Sequence, residues 1–237
     1  MHINKILFRF FNDKHAIIKE YLKTASKIIE IGSHLGTDTA MFRKNFPNAD
    51  IICFEPDPRS REIFEKYQSH LGTKLFPFAL SNKNEEVEFY QAFSKEKEEH
   101  TLKKYSWIKP EDIKNNKLSR CGASSLKKGH NAVANAEKIK IKSVKLDDWA
   151  NENKIDKIDL IWMDVQGAEK DVIEGAENIL KQTKYIWTEF GELDYNGAMD
   201  WSETKNILKN NFKLINYESY FLKRGDMFFV NKNLKNL

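Results

Sequence analysis

Hydrophobic and polar positions follow two rhythms along this chain. Over residues 13–25, Ala16, Ile17, Tyr21 and Leu22 recur at helical spacing, and a helix is expected there. Lys27–Ile31 is a short apolar run that enters Gly32 and reads as a strand. A helical pattern over 37–46 stops before Pro47. Asp50–Phe54 is a second strand, running into Glu55, Pro56, Asp57 and Pro58. A helix over 59–71 stopped by Gly72, a strand over 74–79 and an alternating strand over 86–91 complete the first half. From about 94 to 143 no clear period is visible, and the stretch is rich in Lys, Asn and Ser. The alternation resumes with a strand over 138–144, a helix over Leu146–Glu152, and Ile158–Met163, the most apolar strand of all. A helix over 167–180 carries Val172, Ile173, Ala176 and Leu180 on one face. A strand over 185–190 and a helix over 201–210 follow. Segments 212–217 and 227–231 can pair as a closing hairpin across Lys223, Arg224, Gly225 and Asp226.

This order predicts an α/β fold, a Rossmann-like, doubly wound, mostly parallel sheet with a C-terminal antiparallel hairpin. The 237 residues, 41% of them apolar, suit a single domain over 1–237. Residues 1–26 read as a helical extension. Residues 94–143 read as an insert, since a structureless loop of that length is unusual inside a compact domain. It is either disordered or an inserted lid. No run of about 18 apolar residues occurs, so no transmembrane segment is expected. The first residues are broken by Lys5 and Arg9 and lack a small-residue cleavage site, so no signal peptide is expected. Ile3, Ile6, Leu7, Phe10 and Phe11 are expected to pack on the domain or on a second subunit of a homo-oligomer, rather than on a membrane surface. The two cysteines, Cys53 and Cys121, show no C-x-x-C or zinc spacing, and Cys53, in an apolar strand-like run, reads as a buried thiol in a cytoplasmic protein.

The turn after the first strand is the most informative stretch. Glu30, Gly32 and Gly36 form a Glu-x-Gly-x-x-x-Gly at a strand end that leads into a helix. Glycines let the backbone turn sharply and approach a ligand, and the helix N-terminus offers free N–H groups around Ser33 and Thr37. The spacing is not the G-x-G-x-x-G of a dinucleotide site. An acid here suits the ammonium of an amino acid better than a pyrophosphate. Glu55, at the end of the second strand, is placed to accept from two ribose hydroxyls. An amino-acid end beside a nucleoside end describes S-adenosylmethionine. A nicotinamide-dependent reading is disfavoured by the loop and by the lack of a helical Y-x-x-x-K pair. Tyr21, Tyr67 and Tyr105 are followed four residues later by Ala25, Leu71 and Lys109, the last just before Pro110.

Several blocks together resemble the FkbM-type methyltransferases. They are Glu30-Ile31-Gly32 with Gly36, Phe54-Glu55-Pro56, Ala79-Leu80-Ser81 followed by Val87-Glu88-Phe89-Tyr90, Ser124-Ser125-Leu126, Lys145-Leu146-Asp147-Asp148, and Met163-Asp164-Val165-Gln166-Gly167-Ala168-Glu169. The likeness spans roughly residues 28–190. It implies a class I, S-adenosylmethionine-dependent methyltransferase fold and O-methylation of a hydroxyl, on a sugar of a glycan or glycoconjugate or on a secondary metabolite. Gln166 departs from the resemblance, because the family often has Glu there. A non-catalytic cofactor-binding or interaction subunit is the alternative that this departure favours.

Methyl transfer needs the acceptor oxygen held in line and somewhere for its proton to go. Asp164 follows the most apolar strand and should stand at the carboxyl edge of the sheet, with Glu189 on the neighbouring strand. These two are the expected catalytic pair, with Asp164 also near the cofactor. The plainer role for Asp164 is a helix N-cap that closes the turn into the following helix. No His/Asp cluster has metal spacing, although Asp164 and Glu189 offer the hard oxygens that Mg or Mn takes. Glu169 and His34 are weaker candidates for chemistry. Cofactor contacts are expected from Glu30, Gly32, Ser33, Gly36, Thr37, Glu55, Pro56, Ala79, Leu80 and Ser81, with Phe78 beside the adenine. Ser124, Ser125 and His130 are expected to meet the acceptor, and His100 is expected to be solvated. Net charge is only +4, and no motif for nucleic acid is present. Between 95 and 145, however, 14 Lys and Arg face 6 Asp and Glu, a balance of +8 that leaves the rest near −4. A lid so charged would favour an anionic acceptor, or would simply keep a surface segment solvated.

Overall fold

The computed structural model describes residues 14–129, 137–191, 195–220 and 224–234. In strands β1 (Lys27–Ile31) and β2 (Asp50–Phe54), every residue after the first is buried, because both sheet faces are covered. Five strands run parallel: β1, β2, β3 (Lys74–Phe76), β7 (Ile158–Met163) and β8 (Thr183–Gly191). A hairpin closes the sheet. β10 (Arg224–Asn231) lies antiparallel between β8 and β9 (Phe212–Tyr220), which gives the order β3-β2-β1-β7-β8-β10-β9. A second, three-stranded sheet has the order β4-β6-β5, with β4 (Ala79–Leu80), β5 (Glu85–Gln91) and β6 (Glu137–Val144).

Alternation along the strands sorts the core into two layers. Ile29, Ile31, Ile52, Phe54, Ile161 and Met163 face helices α6 (Leu146–Glu152), α7 (Glu169–Glu174) and α8 (Trp201–Leu208). Ile28, Ile51, Cys53, Leu160, Trp162 and Trp187 face α1 (Lys14–Tyr21), α2 (Thr37–Asn45) and α3 (Pro58–Gln68). Asp57 caps α3 by accepting from the Arg59 amide at 3.0 Å, with Pro58 at the first helical position. Among the described residues no helix is long and apolar enough to cross a membrane. The amphipathic positions before Asp13 lie outside the described residues.

Three expected elements come out differently. The strand over 74–79 stops at Phe76, because Pro77 has no N–H for the ladder, and Ala79–Leu80 joins the second sheet instead. The helix over 167–180 ends at Glu174. A Cβ on Gly175 would stand 2.0 Å from the Ser81 carbonyl oxygen, and Asp147 accepts from the amides of Asn178 (2.9 Å) and Ile179 (2.8 Å). The chain therefore tightens into a 3₁₀ turn over Ile179–Gln182. The insert is not structureless over 94–129. Helices α4 (Glu98–Lys104) and α5 (Pro110–Asn115) pack Tyr105, Ile108, Ile113, Leu118 and Cys121 onto Leu35 and Ile63.

Candidate active site

The strand order reverses between β1 and β7. The chain builds outward from β1 toward β3, then returns to build β7 and β8 on the other side. A crevice opens outside the carboxyl ends of strands at such a point. Three strand ends are sutured there. The Gly32 and Ser33 amides donate to the Phe54 carbonyl at 2.9 and 3.2 Å, and the Asp164 amide donates to the Ile31 carbonyl at 3.0 Å. Gly32 sits at φ +86°, and a Cβ on it would lie 2.0 Å from the Asp164 carbonyl oxygen. Only glycine fits that turn.

Glu55 clamps the first two turns to each other. Its Oε2 accepts from the His34 amide at 2.7 Å and its Oε1 from the Asp57 amide at 2.8 Å. Burial, then the charge of Asp57, pushes its carboxyl up to about 8. Ser33 Oγ is buried and has no hydrogen-bond partner. Both residues line one cleft of about 700 Å³. Its apolar end holds Phe78, Ala79, Leu80, Phe89 and Leu126, and it reaches Asp164, Gln166 and Tyr195.

Acids converge at the ends of β7, β8 and β10. Asp164 and Glu189 hydrogen-bond to each other. The Gln166 amide nitrogen donates to Asp164 and, at 3.2 Å, to Glu189. Its amide oxygen lies 3.0 Å from the Tyr195 hydroxyl. Burial, followed by the Asp164 charge, holds Glu189 well above its ordinary value. Asp164 is raised by burial too, opposed by Lys14 and Gln166. Asp226 pairs in register with Glu189 and binds Lys14 Nζ at 2.8 Å, which brings the start of α1 over this corner.

The described part of the insert forms the remaining wall. His34 Nε2 lies 2.9 Å from Cys121 Sγ, and its ring meets Tyr105 edge-on. Burial, then Lys104, lowers His34 to about 4, so the ring is neutral. Burial pushes the Cys121 thiol up to about 12. Ser124 Oγ donates to Asp57 at 3.1 Å and accepts from the Ala92 amide at 3.0 Å. Ser125 Oγ donates to the Gln166 carbonyl at 2.7 Å and accepts from the Lys127 amide at 2.9 Å.

The cleft thus gathers Gly32, Ser33, Thr37, Glu55, Pro56, Ala79, Leu80, Ser124, Ser125 and Asp164 of the expected residues. Others lie elsewhere. Glu30 is buried on the opposite face of β1, where it accepts from Thr39 Oγ1 at 2.5 Å. Burial and then Asp38 push its carboxyl well above the ordinary range. Gly36, at φ +79°, turns toward Phe64, and the Ser81 backbone packs on Gly175. Glu189 borders a small neighbouring hollow with Gln166, Glu169, Tyr195 and Arg224. Within it Glu169 accepts from the Val165 amide at 3.2 Å. His100 lines the cleft rather than facing open solvent alone. His130 lies outside the described residues. The expectation of Mg or Mn between Asp164 and Glu189 finds no donor set. The two carboxyls bond to each other, and among the described residues no group of three or more His, Cys, Asp or Glu could hold a metal ion. Sequence reasoning missed Tyr195 and Asp226, which belong to no motif and reach the site only through the tertiary fold.

A parallel sheet with this switch point, a glycine turn after β1, an acid after β2 and a C-terminal hairpin defines a class I methyltransferase. Residues 30–214 match the methyltransferase FkbM domain, and the chain belongs to that family. The 2-O-methyltransferase NoeI of Sinorhizobium fredii (strain NBRC 101917 / NGR234) is 29% identical in a 202-residue alignment that covers 79% of this chain and 72% of that protein. Methyltransferase FkbM from Methylobacillus flagellatus KT superposes with a TM-score of 0.53 at 12% identity. That superposition covers 86% of this chain and 44% of the other, so this chain spans less than half of that solved one.

Proposed function

We propose that this protein transfers a methyl group from S-adenosylmethionine to a hydroxyl of a sugar in a glycan or glycoconjugate. One observation carries the reading: a single cleft runs from Ser33 and Glu55, past an apolar end, to Asp164. The residues present fit the cofactor. The unpartnered Ser33 Oγ and the turn at Gly32 suit the amino-acid end, Glu55 retains lone pairs for ribose hydroxyls, and Phe78, Ala79, Leu80, Phe89 and Leu126 suit the adenine. When bound, the sulfonium supplies an activated methyl group. Asp164, at the cleft and with its oxygen fixed by the Gln166 amide, then accepts the acceptor's proton. Orientation of the acceptor in line contributes on the order of 7–11 kcal/mol to lowering the barrier. The polar surround of Ser124, Ser125, Gln166 and Tyr195 suits a polyhydroxylated acceptor. The relative named a 2-O-methyltransferase supports oxygen as the atom methylated.

Calorimetric titration with S-adenosylmethionine and, separately, with NAD tests the cofactor. Saturable binding of the first, weakened at least about tenfold by Glu55→Gln, is expected. Binding of NAD instead, or an affinity that Glu55→Gln leaves unchanged, would overturn the reading.

A further inference from the structure

Cations cluster along one wall of the cleft. Some lysines elsewhere meet carboxylates: Lys27 and Lys74 meet Asp50, Lys66 meets Asp112, Lys127 meets Asp171, and Lys138 and Lys140 meet Glu88 and Glu86. Lys97, His100, Thr101 and Lys104 follow the i, i+3, i+4, i+7 spacing of one helical face, and all four line the cleft. Thr101 fixes that face by donating to the Lys97 carbonyl at 3.0 Å. Arg120 lines the same cleft from the next turn and is held at φ +70°, a left-handed conformation that a non-glycine residue rarely adopts. Among the described residues, none of Lys97, Lys104 and Arg120 forms an ion pair. On the outward side of the same helix, Lys103 pairs with Glu99 at 2.9 Å. Lys104 Nζ lies 5.0 Å over the Tyr105 ring, and Asp38 is an acid that lines the same cleft. Like charges gathered in one cleft repel one another, and an anion bound among them would relieve this.

We propose that Lys97, His100, Lys104 and Arg120 form an anion subsite in the cleft, and that the methyl acceptor is a sugar bearing a phosphate group. The naming of the acceptor rests on the methyl-transfer reading above, whereas the subsite does not. Phosphate is favoured over a lone carboxylate because the cations come from two separate elements. They present an arginine fork and two ammonium groups, which match several oxygens of a dianion.

Calorimetry on the protein saturated with S-adenosylhomocysteine separates the outcomes, with glucose 1-phosphate, glucose, glucuronate and inorganic phosphate as probes. The expected result is that glucose 1-phosphate and inorganic phosphate bind and glucose does not. The triple variant Lys97→Gln, Lys104→Gln, Arg120→Gln should weaken phosphate binding roughly tenfold or more, and Lys103→Gln should leave it unchanged. Circular dichroism of the triple variant confirms that the fold is kept. Equal losses in Lys103→Gln, or no loss in the triple variant, would overturn the subsite. Glucuronate binding as tightly as glucose 1-phosphate would overturn the phosphate assignment. One outcome assigns the cations to the cofactor instead: the triple variant weakens S-adenosylhomocysteine but not 5′-methylthioadenosine, which lacks the amino-acid end. A failure of S-adenosylhomocysteine to bind the wild type counts against the methyl-transfer reading alone, because inorganic phosphate can be titrated without it.

Discussion

At Glu55 one buried carboxyl receives two backbone amides and still sits near 8, because burial outweighs both hydrogen bonds. The folded protein therefore binds a proton that the unfolded chain releases near its ordinary value of 4.5. Stability from this group is fully present below 4.5 and is lost as pH rises toward 8. Glu169, raised by burial to about 7, acts in the same sense, as do Glu30 and Glu189. His34 acts oppositely. Lowered to about 4, it favours folding as pH rises from there to 6.5 and adds nothing further above that. Above pH 6.5 the ligand-free protein should therefore melt at lower temperature as pH rises. Glu55→Gln should flatten that slope by at most about 1.4 kcal/mol per pH unit, read from denaturant unfolding at several pH values. Gln166 makes a second residue-scale prediction. Its amide donates to Asp164 and Glu189 and offers an oxygen to Tyr195. Gln166→Leu removes all three contacts from that pair and from Tyr195. It should lower kcat for methyl transfer by about a hundredfold and leave cofactor affinity within about twofold. An unchanged kcat would return Gln166 to a purely structural part.

Among the elements, turns decide more than helices do. A Cβ at Gly32 or Gly175 would meet a backbone carbonyl oxygen at 2.0 Å, and backbone cannot swing away as a side chain can. Gly32→Ala should destabilise the fold by about 3–5 kcal/mol and abolish cofactor binding. Gly175→Ala should destabilise comparably, because it parts α7 from Ser81. Both are measurable by denaturant unfolding. The wall built by α4 and α5 depends on Leu118, Ile113 and Cys121 against Leu35. Leu118→Ala, at a site 1% exposed, should cost about 2–5 kcal/mol and speed proteolytic cleavage within 95–120 before the sheet unfolds. The regular strands were legible from apolar runs, and so was α6. The end of the helix expected over 167–180 was not, since it depends on Ser81 and Asp147, both distant along the chain.

For the whole molecule, the succession of strand and helix rhythms was enough to determine a parallel α/β sheet with a closing hairpin. Local periodicity records which faces each segment must bury. The glycine turn and Glu55 were legible for a related reason, since a sharp turn and an acid at a strand end are local features. What local pattern does not carry is which side of a strand faces the cleft. Glu30 looked like a cofactor contact, yet the pleat turns it to Thr39 and into the core. The order of strands brings Tyr195, Asp226 and Lys14 to the corner of Asp164 and Glu189, though they are scattered in sequence. The sequence by itself determined the class of fold and the excess charge of the stretch 95–145. Only the tertiary structure decided which carboxyls share a proton and which cations face the cleft. Those depend on contacts between segments far apart in sequence, and on burial that exists only once the two layers have closed.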